Sequence, residues 1–180
     1  MNYKINLIKS NRKTFCLEIK ERGVLIVRAP KSASKKDIMA VVEKHRNWIE
    51  KKIYEIPVVD ESDKFTAEEL AQMVEDTKKK LSVMIPKYSL SMGVNPNRIT
   101  IRNQRTRWGS CSSKGNLNFN CLLSLVPERV MEYVVVHELA HLIEMNHSKR
   151  FWKIVEEIIP DYKEQKRWLK ENGDGLIRKL

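Results

Sequence analysis

Apolar positions along the chain change period several times, and those changes mark its elements. Between residues 3 and 28, apolar and polar positions alternate in "YKINLI" and "VLIVRA", with breaks at "KSNRK" and "ERG". Two or three short strands in a meander are expected there. From Lys35 the period becomes helical: Ile38, Val41, Val42, Ile49 and Ile53 share one stripe, which predicts one amphipathic helix over Lys35–Ile53. His45 falls on that stripe and is expected to pack in the core rather than bind metal. The segment "PVVDESDK", Pro57 to Lys64, mixes proline with acidic and polar residues and reads as a linker. It separates an N-terminal meander-plus-helix segment, 1–57, from a larger unit, 64–180.

Past the linker, Thr66 and Glu69 have the spacing of a capping box, in which hydroxyl and carboxylate each satisfy one free amide of a helix start. The helix that follows is expected to bury Leu70, Met73, Val74, Leu81 and Met84, and Pro86 is expected to kink or end it. "RITIRN" reads as a short strand, Arg98 to Arg102. Turn chemistry at Ser112, Ser113, Lys114 and Gly115 precedes a second strand. There Asn116, Asn118 and Asn120 oppose Leu117, Phe119 and Cys121. Asparagine is depleted in strands, so the polar face is either plain solvent surface or a functional edge.

Composition narrows the class. A chain of 180 residues with 42% hydrophobic and 32% charged content can bury a sizeable core, which excludes a disordered polypeptide. No apolar run approaches the roughly 20 residues of a membrane span, and the N-terminus lacks a signal-peptide core. Three cysteines, Cys16, Cys111 and Cys121, are odd in number and have no CxxC spacing, as expected of reduced thiols in a cytoplasmic protein. A net charge of +11 raises the local concentration of polyanions, so nucleic acid is a candidate partner. Lysine runs such as "DTKKK" also read as ordinary solvated helix faces, and no nucleic-acid-reading motif accompanies them.

The concentrated chemistry lies in "YVVVHELAHLIEMNHSKRF", which holds three of the four histidines. Pro127 and Glu128 suit a helix start, because proline loses no needed amide there and the carboxylate favours the positive end of the dipole. His137 and His141 are four residues apart, so on a helix both rings face one side and can share an ion at about 2.0–2.1 Å. Glu138, about 100° around the helix, stays out of the ligand set yet near a water on the metal, where it can act as a base. A catalytic zinc takes three protein ligands and keeps one position open. His147 is the preferred third ligand. It requires the helix to end between Leu142 and Asn146, with Asn146 in the left-handed conformation that turns the chain. Glu144 lies on the same face but roughly 7.5 Å along the axis from a metal midway between the histidines. Glu156 and Glu157 are weaker rivals.

Together, "TRWGSCSSKGNLNFN", "YVVVHELAHL" and "NHSKRFW" resemble the YgjP-like metallopeptidases, relatives of the SprT-like proteases in the zincin group. The resemblance runs from about Arg98 to Trp152. It implies an α+β fold with a zincin-like catalytic core, a small mixed sheet and an active-site helix. It also implies a Zn2+ site of His137, His141 and His147, with Glu138 as general base. The "RWGS" turn, Arg107 to Ser110, and the asparagine-faced strand are implied to lie beside the active site. Metzincins share the three-histidine spacing but have glycine where this chain has Glu144, and no methionine follows Met145 to form their methionine turn.

The expected activity is metallopeptidase cleavage of peptide or unfolded protein. The strand Asn116–Asn120 would serve as a substrate-holding edge, and Arg107, Trp108, Asn118 and Asn120 would contact substrate. A hydrolase of nucleotides or phosphoesters would use the same metal chemistry. A nucleic-acid-associated module with a structural zinc is a third reading, and it requires Cys111 to close the ligand set.

Overall fold

The structure, a computed structural model, describes residues 3–21, 23–55 and 61–180. The chain divides into two units, Met1–Val59 and Asp60–Leu180. Half of the linker expected at 57–64 falls outside the described residues, and in the other half Glu61–Asp63 form one turn of 3-10 helix. Among the described residues no helix is long and apolar enough to cross a membrane.

The first unit contains strands β1 (Lys4–Ser10), β2 (Cys16–Glu21) and β3 (Val24–Pro30), followed by helices α1 (Lys35–Lys44) and α2 (Arg46–Glu55). The strands are those expected, but their order is β1-β3-β2, with β1 parallel and β2 antiparallel to β3. This is not a meander. β3 buries Leu25, Val27 and Ala29 completely. The most apolar strand takes the doubly paired centre, while β1, with Lys4, Asn6 and Lys9, suits an edge.

The single helix expected after β3 is two. α1 starts at a complete capping box of Ser34 and Asp37 and stops at His45, whose φ of −109° and ψ of 15° leave the helical region. His45 is exposed, and its Nδ1 lies 2.8 Å from the Val41 carbonyl. It therefore marks the joint between two helices instead of packing in the core. The common apolar stripe survives the break, since Ile38, Val42, Ile49 and Ile53 are all buried.

The second unit opens with α3 (Ala67–Met92), capped by the expected Thr66–Glu69 box and closed by Gly93 at φ 64°. Pro86 does not end this helix. It sits on the exposed side, where water can satisfy the carbonyl that its missing amide leaves free, while Leu81, Met84, Ile85 and Tyr88 hold the helix to the core. The sheet comprises β4 (Arg98–Arg102), β5 (Gly109–Cys111) and β6 (Asn116–Asn120) in the order β4-β6-β5. β6 is parallel to β4 and antiparallel to β5. A 3-10 turn at Cys121–Leu125 leads to α4 (Glu128–Ala140), then α5 (Lys149–Ile158) and α6 (Tyr162–Ile177). The fold is thus mixed α+β, with the histidine-bearing helix packed beside the sheet.

The strand Asn116–Asn120 is therefore not an edge. Both of its sides are hydrogen-bonded, so it cannot add a peptide strand. Its apolar face behaves as its alternation requires, with Leu117, Phe119 and Cys121 fully buried. α4 packs into the same core and buries residues on nearly every side, among them Val130, Met131, Val134, Val135, Val136 and Leu139. Each such side chain contributes roughly 1.5–3 kcal/mol of transfer free energy, enough to fix the position of the polar groups that the helix carries.

Candidate metal centre

α4 brings His137, Glu138 and His141 into the core of the second unit. The helix ends at Ala140, earlier than expected, in a tight turn. The Ala140 carbonyl accepts from both Ile143 and Glu144 amides, at 3.0 and 2.9 Å. Among the described residues no non-glycine residue has positive φ, so Asn146 does not make the turn in the left-handed conformation. Instead the Asn146 carbonyl accepts from the Ser148 amide at 2.7 Å, and the Ser148 hydroxyl accepts from the Phe151 amide at 3.3 Å to cap α5. His147 lies in this short connection, just ahead of the cap, and is turned back towards α4.

The three rings converge. One ligand nitrogen from each of His137, His141 and His147 lies within 4.8 Å of the other two. Nε2 of His137 and Nε2 of His147 are 3.0 Å apart. Nδ1 of His141 lies 3.2 Å from the Glu144 carbonyl, which occupies that nitrogen and leaves Nε2 for a ligand. Nitrogens bound to one ion at about 2.1 Å are at most ~4.2 Å apart, so the set fits a metal with small ring movements. Burial lowers His137 to about 3, helped by the neighbouring His141, His147 and Lys166, and burial also lowers His141. Both rings are thus neutral at physiological pH, the form in which imidazole binds metal. Among the described residues Cys111 is not part of this cluster, nor are Glu144, Glu156 and Glu157.

Glu138 points elsewhere, towards the sheet. It is 5% exposed, and its Oε2 is buried without a partner. Burial pushes its carboxyl up to about 8, against the opposing pull of the Arg107 charge. Gly109 of β5 lies directly against it: a Cβ at residue 109 would fall 2.5 Å from Oε1 and 2.6 Å from Cγ. Cys111 feels the same carboxylate, with its thiol raised by burial first and by Glu138 second.

An aromatic floor underlies the histidines. Phe151, fully buried, has its ring centre 4.9, 4.6 and 4.8 Å from those of His137, His141 and His147. Trp152 stacks on His147 at 5.7 Å and on Tyr162 at 5.2 Å, and Tyr162 stacks on Tyr133 at 6.4 Å. Tyr133 also meets the His137 ring edge-on at 5.7 Å, and burial raises its phenol. None of these aromatic residues was expected at the site, although Tyr133 stands one turn before His137, a spacing that puts it on the histidine side of the helix.

The residues expected to contact substrate divide into groups. Arg107 is exposed at the entry to β5, close enough to influence Glu138. Trp108 is half-buried in the core, with its indole against Gly173. Asn118 lies on the central strand and donates to the Ser110 hydroxyl at 3.3 Å. Asn120 is fully buried, and its amide nitrogen donates to the Gln104 and Arg107 carbonyls at 2.7 and 2.8 Å. Its amide holds the loop before β5 and is not presented to a ligand.

Comparison with known proteins adds an independent line. The family model described as "YgjP-like, metallopeptidase domain" matches residues 60–172, which include all three histidines, Glu138 and β5. No curated protein matches the chain. Among solved structures, that of the metallopeptidase zymogen of Pyrococcus abyssi abylysin is 24% identical, with a TM-score of 0.46, and the match covers 51% of this chain and 93% of that one.

Proposed function

The chain belongs to the YgjP-like metallopeptidase family, and from that premise we propose that it is a zinc-dependent peptidase in which His137, His141 and His147 hold the metal and Glu138 is the general base. One observation carries this reading. Three imidazole nitrogens meet within 4.8 Å, and the next residue after the first histidine is a buried carboxylate with one oxygen left unpartnered. Neutral imidazoles without thiolates suit a borderline ion such as Zn2+, and three ligands leave a fourth position open. Such an ion, when bound, supplies a Lewis acid for the scissile carbonyl and lowers the pKa of water to about 7.

The remaining chemistry belongs to this chain. Glu138 takes the proton of the attacking water at Oε2 and returns it to the leaving nitrogen, so one carboxyl serves both halves of the reaction. The free edge of β5 supports docking of an extended peptide. The Trp108 carbonyl and the Ser112 amide bond to β6. Alternation along an antiparallel ladder then directs the amides and carbonyls of Gly109 and Cys111 away from β6, where a substrate strand can pair with them. Arg107, at the start of this edge, stands where it can meet a substrate carbonyl. The three unpaired cysteines accord with a reducing, cytosolic setting.

The test is a zinc-loaded preparation beside Glu138→Gln. Wild type is expected to bind about one zinc per chain and to cleave casein-like unfolded protein, and Glu138→Gln to keep the zinc and lose cleavage. Full cleavage by Glu138→Gln would remove the base assignment. Turnover of nucleoside triphosphates in place of protein would move the same site to phosphoester chemistry.

A further inference from the structure

Gly109 has a backbone that any residue can adopt, since the positive φ values among the described residues belong to Gly23, Gly93 and Gly115. Conformational freedom therefore does not explain a glycine at this position. Its surroundings do. β5 runs so close to α4 that a Cβ on residue 109 would lie 2.5 Å from Oε1, 2.8 Å from Cδ and 2.6 Å from Cγ of Glu138. Those three atoms are the body of the carboxylate arm and not merely its tip, and the arm is buried, so it cannot swing into solvent to make room. Real Cβ atoms do not approach other heavy atoms this closely, and a side chain at 109 would displace the carboxylate from its seat.

We propose that Gly109 is a positioning residue for Glu138: the missing side chain on β5 is the socket that seats its carboxylate between α4 and the sheet. This rests on the reading of Glu138 as the base. The same close approach places the free β5 edge and the carboxylate side by side, so a peptide held on that edge meets the base at a fixed offset. Ser110 next along has its side chain on the opposite face, bonded to Asn118, and leaves the socket clear.

The experiment is a double-mutant cycle with two readouts. In zinc-loaded protein, Gly109→Ala is expected to lower kcat about 100-fold, the scale of a misplacement near 1 Å, while KM and bound zinc change less than about twofold. In metal-free protein, Gly109→Ala is expected to lower the melting temperature by more than about 3 °C. In a Glu138→Ala background the same substitution is expected to cost nothing, because the clashing arm is gone. If Gly109→Ala alone fails to fold, the double variant must fold. Full activity of Gly109→Ala beside an inactive Glu138→Gln overturns the proposal, as does an equal melting cost in both backgrounds. An active Glu138→Gln instead overturns the base assignment, and the melting cycle, which involves no turnover, still decides the contact.

Discussion

The indole of Trp108 lies against the bare Cα of Gly173 on α6, so near that a Cβ there would be 3.0 Å from both Nε1 and Cζ2. Gly173 is buried, whereas Gly175, two residues on in the same helix, has open space around it. The two glycines thus differ in what they permit. At Gly175, alanine gains up to ~1 kcal/mol of helix propensity with nothing to push against. At Gly173 the same gain is opposed by about 1–3 kcal/mol of overpacking against the tryptophan. Urea unfolding is expected to rank Gly175→Ala above wild type and Gly173→Ala below Gly175→Ala by about 1–3 kcal/mol. A change in tryptophan fluorescence is expected for Gly173→Ala alone.

Metal binding is expected to appear as stability. A ligand that binds only the folded state adds about 2.7 kcal/mol at a concentration 100 times its Kd. For a chain of this length that corresponds to a rise in Tm of roughly 5–11 °C. Zinc should therefore raise the Tm of wild type, and a chelator should reverse the rise. His147→Ala, which removes an exposed residue from a connection and creates no cavity, should leave the metal-free Tm nearly unchanged and abolish most of the zinc-dependent increment. An equal increment in wild type and His147→Ala would remove His147 from the ligand set.

Local patterns were legible in the sequence wherever one element decides the outcome. The Thr66–Glu69 box started α3 where its spacing required, and alternation in "NLNFN" identified which side chains of β6 are buried. The four-residue interval between His137 and His141 put both rings on one side of α4. What escaped were choices between elements. Alternation says which side chains face a core, but not which strand lies in the middle, so it marks neither β3 nor β6 as a central strand. Proline chemistry alone marks Pro86 as a breaker, and only the packing of α3 puts it on the solvent side, where the helix tolerates it. The Gly109–Glu138 and Gly173–Trp108 contacts join residues 29 and 65 positions apart. No periodicity can encode a close approach of that kind, and a glycine within a strand or helix is its only trace.

Acid sensitivity should reside at Glu132, which is buried on α4 away from the histidines. The Tyr88 hydroxyl donates to its Oε1 at 2.6 Å, and Arg129 donates to Oε2 at 2.8 Å. Burial pushes this carboxyl up, but the bonds from Tyr88 and Arg129 and the charge of Lys87 outweigh it, and the net shift is downward. A depressed folded-state value means stability that is present above the ordinary carboxylate range and lost as pH falls through the folded value. Tyr88→Phe removes the first donor and leaves the burial. It is expected to cost about 1.5–3 kcal/mol at pH 7 and to move the onset of acid unfolding to higher pH. Unfolding curves between pH 7 and pH 3 that coincide in midpoint pH for wild type and Tyr88→Phe would refute this.

Asn118 and Asn120 share one face of β6, yet substitution should separate them sharply. Asn120 is fully buried, with its amide nitrogen bonded to two carbonyls and its Oδ1 accepting from the Leu122 amide at 3.2 Å. Asn120→Ala strands the Gln104 and Arg107 carbonyls and the Leu122 amide, at roughly 1–3 kcal/mol for each buried group left unsatisfied. A total loss above about 3 kcal/mol is expected. Because those carbonyls belong to the loop that delivers Arg107 and Gly109 to the site, activity should fall along with stability, and zinc should restore only part of both. Asn118 is half-buried with one bond of 3.3 Å to Ser110. Asn118→Ala should cost less than about 1 kcal/mol and leave zinc affinity unchanged. If Asn120→Ala instead melted like wild type while KM for peptide rose, Asn120 would belong to the substrate surface and not to the framework that carries it.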